Sequence, residues 1–119
     1  MYDHIGIKVG NLDASVRFYS AALAPLGYVL CSHDATGAGF GPKDAPALWL
    51  YAHQGSKGEG AHLAFRAPDH AAIKAFHNQG LEAGGRDNGE LGPRADYSPT
   101  YHAAFLIDPD GNNVEAVCS

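Results

Sequence analysis

Hydrophobic and polar positions alternate from the start of the chain. Ile5, Ile7 and Val9 are separated by Gly6 and Lys8, the two-residue period of a half-buried strand. Asn11 follows as an N-cap, and Leu12, Val16, Tyr19 and Leu23 recur at helical spacing. The pattern predicts a helix to about Ala24, closed by Pro25 and Gly27. Strand-like runs come next at 28–34, at the glycine-rich 38–42 and at 48–53. A polar, glycine-rich stretch over 54–60 interrupts them, and the pattern then restarts. Residues 62–67 read as a strand. Pro68-Asp69 reads as a helix start, with Ile73 and Phe76 as the apolar stripe and Gly80 as the stop. A short strand is expected over 81–86, then a loop over 87–100, long enough for a lid. The segments 101–107 and 113–117 read as strands joined by a hairpin at Asp108-Pro109-Asp110-Gly111.

The restart is an internal repeat with an offset of 58 positions (62 − 4 = 58). It aligns His4 with His62, Ile5 with Leu63, Ile7 with Phe65, Lys8 with Arg66, Asn11 with Asp69, Phe18 with Phe76 and Leu23 with Leu81. Any two strand–helix units share apolar positions, but nothing in secondary structure requires the paired histidines and paired basic residues. The expected architecture is α+β: one domain over 1–119, with modules at about 1–55 and 60–119. Each module is a βαβββ unit. Together they form a curled, cup-shaped mixed sheet with helices outside. Pairing about a pseudo-twofold axis would bring the two first strands together.

Alternation also sorts the polar residues by face. If Ile5, Ile7 and Val9 meet the helix, His4, Gly6 and Lys8 face away. If Leu63 and Phe65 meet the helix, His62, Ala64 and Arg66 face away. Val114 and Ala116 inward leave Asn113 and Glu115 on the other side. Three strands thus offer His4, His62 and Glu115 to one open face. Two imidazoles and a carboxylate form a facial triad that leaves coordination positions for water and substrate. The expected cofactor is one divalent metal, and neutral imidazole suits Zn, Mn, Fe, Ni and Co alike. Lys8 and Arg66 are candidates to hold a substrate anion, Arg66 by two hydrogen bonds. Trp49 and Tyr51 are candidates for an aromatic wall. Tyr101 and His102 are candidates for a general acid or base, and alternation allows only one of them to face the cup. His33, His53, His70, His77 and His102 are expected to include several surface or hydrogen-bonded residues.

Composition narrows the partners. The 119 residues carry a formal charge of −5, with only eight scattered Lys and Arg, which argues against nucleic acid and against an anionic membrane surface. The apolar fraction of 45% is that of an ordinary globule, and no apolar run is long enough to span a bilayer. Cys31 and Cys118 are far apart with no metal or redox spacing, and no signal-peptide pattern opens the chain, so a cytoplasmic location is expected.

The opening Asp3-His4-Ile5-Gly6-Ile7-Lys8-Val9 and the ending 105–115, with Asp108-Pro109-Asp110-Gly111 and Glu115, resemble the vicinal oxygen chelate superfamily. That superfamily includes glyoxalase I, extradiol dioxygenases, fosfomycin-modifying enzymes and bleomycin-resistance proteins. The resemblance spans the chain as two βαβββ modules. It implies metal ligation by His4, His62 and Glu115, a small oxygen-chelating substrate and a homodimer. Isomerase or lyase chemistry through a metal-stabilised enediolate is the favoured activity. Glyoxalase I-like enzymes add a carboxylate from the fourth strand. Here that strand offers Trp49, Tyr51 and His53 instead, which departs from the lactoylglutathione lyase pattern. The remaining His, His, Glu set resembles the dioxygenase and fosfomycin-transferase pattern, but ring-cleaving dioxygenases commonly have four modules, and Gly6 stands where fosfomycin enzymes place a Thr. The competing reading is a metal-free protein that sequesters a drug or metabolite, as bleomycin-resistance proteins do.

Overall fold

Each half of the chain builds one strand–helix–strand unit, and the same local rules operate twice. The computed structural model describes residues 1–56, 60–89, 92–93 and 102–118. In the first half, β1 (Ile5–Val9) leads into α1 (Leu12–Leu23), a 3-10 turn (Ala24–Leu26), β2 (Val29–His33), β3 (Gly37–Gly41) and β4 (Leu48–Ala52). In the second, β5 (His62–Arg66) leads into α2 (His70–Glu82), β6 (Arg86–Asp87), β7 (Gly92–Pro93), β8 (His102–Ile107) and β9 (Asn113–Cys118). Both helices start on the side chain that the repeat aligns. Asn11 Oδ1 accepts the Ala14 N–H at 3.0 Å, and Asp69 Oδ1 accepts the Ala72 N–H at 2.8 Å. Each satisfies an amide that the first helical turn leaves without an intrahelical partner.

Gly80 does not stop α2, which runs on to Glu82. The segment 81–86 is therefore mostly helix end and turn, with only Arg86 and Asp87 entering a strand. The glycine serves close packing instead. A Cβ at position 80 would overlap the Leu106 side chain and lie 3.4 Å from Phe18. The actual stop is Gly84, at φ 104°, a left-handed conformation that glycine adopts without steric cost.

The strands form two mixed sheets, in the orders β1-β4-β3-β2 and β5-β9-β8-β6, with β7 paired to β8. In each, the module's first strand runs parallel to its last, β1 with β4 and β5 with β9. Among the described residues no ladder joins the two sheets, so β1 and β5 each keep one edge without a ladder. The inner faces close on the helices. Val9, Phe40 and Leu50 from the first sheet and Leu106 and Val114 from the second are essentially inaccessible, as are Phe18, Tyr19, Ile73 and Phe76 of the helices. Burial of these side chains is the main favourable term in the fold, at about 25 cal/mol per Å² of apolar surface.

A polar hub fastens the second module's hairpin to the first module's helix. Asp108 is 2% exposed. Its Oδ1 accepts the backbone N–H groups of Asp110 (2.9 Å) and Asn112 (2.8 Å). Its Oδ2 accepts the Asn112 side-chain amide at 3.0 Å and the Tyr19 hydroxyl at 2.5 Å. Asp110 reaches the start of α1, accepting the Gly10 N–H at 2.9 Å and the Ser15 hydroxyl at 3.3 Å. Burial, then the Asp108 carboxylate, hold the Tyr19 phenol well above its ordinary ionisation range. A raised folded-state pKa is a stability contribution present below the unfolded value. It is lost as pH rises, because only the unfolded chain gives up the proton readily. Stability should therefore fall above about pH 10. Tyrosinate absorbance should show one phenol titrating only with unfolding, and that step should vanish in Tyr19→Phe.

Candidate functional site

The ladder registers show which side chains share a face. Gly6 lies beside Trp49 and Lys8 beside Tyr51, while Ile5 and Ile7 lie beside the buried Leu48 and Leu50. The first sheet's open face therefore carries Gly6 and Lys8 from β1 with Trp49 and Tyr51 from β4, and His4 immediately precedes β1. In the second sheet His62 lies beside Asn113, Ala64 beside Glu115 and Arg66 beside Val117. Leu63 and Phe65 point with Val114 and Ala116 into the core.

The structure brings two of the three expected metal ligands together. His62 Nε2 lies 3.1 Å from Glu115 Oε1, with the Glu115 side chain 7% exposed and His62 half exposed. The reason is the β5–β9 register: Glu115 stands beside the small Ala64, so its carboxylate can reach the imidazole two residues earlier on β5. Asn113 shares this face, as alternation expects, though it is not among the expected ligands. It stands across the ladder from His62, and its buried Oδ1 has no hydrogen-bond partner in the structure. A buried carboxylate, an imidazole and an orphaned amide oxygen on one face are the donors expected for a hard or borderline divalent cation. By donor type, His62, Glu115 and Asn113 are compatible with such a cation, two of them in contact and the third their neighbour on the face.

His4 forms no three-ligand cluster with this pair. Its Nδ1 lies 2.6 Å from Asp3 Oδ1. A neutral ring that donates there keeps its lone pair on Nε2, as metal-bound histidines do when a carboxylate orients them. His4 and His62 line one cavity of about 310 Å³, whose walls include Leu23, Phe40 and Leu48. Among the described residues, however, no three His, Cys, Asp or Glu side chains converge on one point.

The repeat explains why the fourth strand supplies no carboxylate. Trp49 pairs with Gly6 and Glu115 pairs with Ala64, and positions 6 and 64 are 58 apart. Trp49 thus occupies the place in the first module that Glu115 occupies in the second. Lys8 and Arg66 sit at matched open-face positions, both exposed, and the Arg66 carbonyl accepts the Tyr28 hydroxyl at 3.3 Å.

His102 sits on the covered side of β8, so of the two alternatives that alternation left open it is not the one on the open face. It shares that side with Ala104 and Leu106, and its ring stacks on His70 of α2 with centroids 3.4 Å apart. The physical reason is parity: Phe105, not His102, is the ladder neighbour of Glu115. Tyr101 and most of the 87–100 loop lie outside the described residues. Within the described part of that segment, Asp87 accepts from the His77 ring at 3.0 Å, and this hydrogen bond holds its carboxyl below the usual range.

Two βαβββ-like units, the second with two short strands, β6 and β7, both paired to β8, each carry one polar open face, and with an imidazole–carboxylate pair on the second they define a small α+β protein built to present side chains from its sheets. The family model "Glyoxalase/Bleomycin resistance protein/Dioxygenase superfamily" matches residues 2–116, and the chain belongs to that superfamily. A glyoxalase/bleomycin resistance protein from Albidiferax ferrireducens T118 is 27% identical, with a TM-score of 0.84 over 98% of this chain and 97% of that one. A protein from Bacillus halodurans is 24% identical, with a TM-score of 0.79 over 100% of this chain and 96% of that one. A glyoxalase/bleomycin resistance protein/dioxygenase family enzyme from Burkholderia phytofirmans PsJN is 14% identical, with a TM-score of 0.74 over 97% and 95%. These last two likenesses carry the fold alone. Among curated proteins no match was found. Among the described residues no helix is long and apolar enough to cross a membrane.

Proposed function

We propose that this protein is a metal-dependent enzyme of the isomerase or lyase type, acting on a small substrate that presents adjacent oxygen atoms. The carrying observation is the 3.1 Å approach of His62 to the buried Glu115 on an open sheet face. A carboxylate removed from water favours a cationic partner, and a half-exposed imidazole beside it can turn to share one. In this reading His62 and Glu115 hold one divalent ion, chosen among Zn, Mn, Fe, Ni and Co, and His4 completes the set. Held there, such an ion would act as a Lewis acid toward the substrate's oxygen atoms. Lys8 and Arg66 hold the substrate's anionic group, Trp49 and Tyr51 flank its body, and Tyr101 moves the proton.

The reading includes a homodimer. β1 and β5 each offer an edge without a ladder, and Ile5 on the first is 38% exposed. Such edges are commonly covered by another strand or another chain. His4, which lines one cavity with His62, would complete the set within the chain or, in a dimer, across the subunit boundary. A cytoplasmic location fits the free Cys31 and Cys118 thiols.

Metal analysis of protein purified without chelator is the direct test. About one equivalent of a divalent metal per chain is expected, with turnover of α-hydroxycarbonyl or 2-oxoaldehyde-derived probes lost on chelation and restored by metal. Light scattering should report a dimer. Protein that binds no added Zn, Mn, Fe, Ni or Co above background would end this reading and leave a metal-free binding protein.

A further inference from the structure

On the floor of the first module's open face, β1, β4 and β3 set glycines around two aromatic rings, with Lys8 beside them. Gly37 and Gly39 of β3 are the ladder neighbours of Tyr51 and Trp49, and Gly6 of β1 is the other neighbour of Trp49. The rings occupy the room that these glycines leave. A Cβ at Gly39 would stand 2.8 Å from the Trp49 ring, and one at Gly6 would stand 2.6 Å from Tyr51. Trp49 leans over β3 and Tyr51 leans over β1, so together they span three strands. Tyr51 is 46% exposed. Lys8, exposed and across the ladder from Tyr51, is the adjoining cation.

We infer that this floor binds a planar, conjugated ring system bearing a carboxylate or similar anion, stacked on Trp49 and Tyr51 with its charge at Lys8. Three features lead to that class. Adjacent strands lie about 4.8 Å apart, so three of them present a strip about 10 Å wide, the breadth of one or two fused rings. Among the described residues, the only aliphatic projection across β1, β4 and β3 is the Lys8 stem, with Val29 of β2 at the far edge, so the strip admits a flat molecule and gives a bulky one few contacts. Aromatic rings prefer offset or tilted ring partners to aliphatic ones of equal area. The repeat supplies a fourth point. Where the second module holds Glu115, the first holds Trp49, so the two halves divide the work, one offering polar donors and the other a stacking surface. The inference names a substrate class for the site proposed above, and it requires no metal.

Trp49 is the chain's single tryptophan, so its emission reports the floor directly. The experiment titrates chelator-treated protein with 2-naphthoate, its fully saturated analogue and its neutral amide, followed by fluorescence and by calorimetry. Saturable quenching by naphthoate is expected, with binding about tenfold weaker for the saturated acid, the size of one aromatic contact. Lys8→Met should remove the preference for acid over amide. Gly39→Ala, which pushes into the Trp49 ring, should weaken the aromatic ligand more than the saturated one. Tyr51→Leu, at a half-exposed position, should do the same without risk to the fold. Equal affinity for the flat and saturated acids, or unchanged naphthoate binding in Tyr51→Leu, would overturn the inference. Because the protein is stripped of metal throughout, failure here is separate from failure of the metal reading.

Discussion

Exchanging Glu115 for Gln should lower divalent-metal affinity by on the order of 100-fold or more, a loss at least as large as those seen when a ligand's hydrogen-bonding support is removed. The substitution keeps shape and volume, so the fold should persist while the buried negative charge disappears. His62→Ala should have a comparable effect from the other side of the 3.1 Å contact. His4→Ala should lower metal content as well, and it separates two arrangements. If His4 meets the pair across a subunit boundary, co-expressing His4→Ala with Glu115→Gln should restore one complete site per mixed dimer. Metal analysis and calorimetric titration on dimers purified with two tags would read this. Full metal content in Glu115→Gln would sink the assignment.

The second large effect is on stability. Asp108→Ala should cost about 3 kcal/mol or more, because a buried carboxylate that accepts four hydrogen bonds is removed and its donors stay buried. The melting temperature should drop by roughly 10 °C for a chain of this length. Asp108→Asn, which keeps one acceptor oxygen, should lose less. Metal affinity per folded molecule should change little in either variant, since Asp108 faces α1 rather than the open sheet. A melting temperature within a degree or two of the parent's would show that the hairpin does not need this hub.

That contrast qualifies the reading of the Asp108-Pro109-Asp110-Gly111 motif. In the sequence it is a turn signal and a mark of family likeness. In the structure its carboxylates bind Tyr19, Ser15 and Gly10 of the first module, so the motif ties the two halves together. Nothing in the local pattern announces this, because the partners lie 89 to 100 residues away. Gly80 misled for a similar reason. A glycine after an apolar stripe reads as a helix stop, yet here it makes room for Leu106. His102 was ambiguous because neighbouring Ala103 and Ala104 are both small and apolar, so alternation could not be phased until β8 was set beside β9.

What the sequence determined by itself was whatever depends on short range and on period. The two half-buried first strands, the caps at Asn11 and Asp69, the repeat, and the sidedness of His62, Lys8, Arg66 and Glu115 all follow from alternation and local hydrogen-bonding chemistry. Tertiary structure decided whatever depends on register between distant strands. It set His62 beside Glu115 and Asn113, put Trp49 at the first module's counterpart of Glu115, turned His102 under α2, and left His4 with Asp3. A strand's own residues choose its faces, but only its neighbour chooses which side chain stands opposite, and the chemistry of this site lies in those pairings.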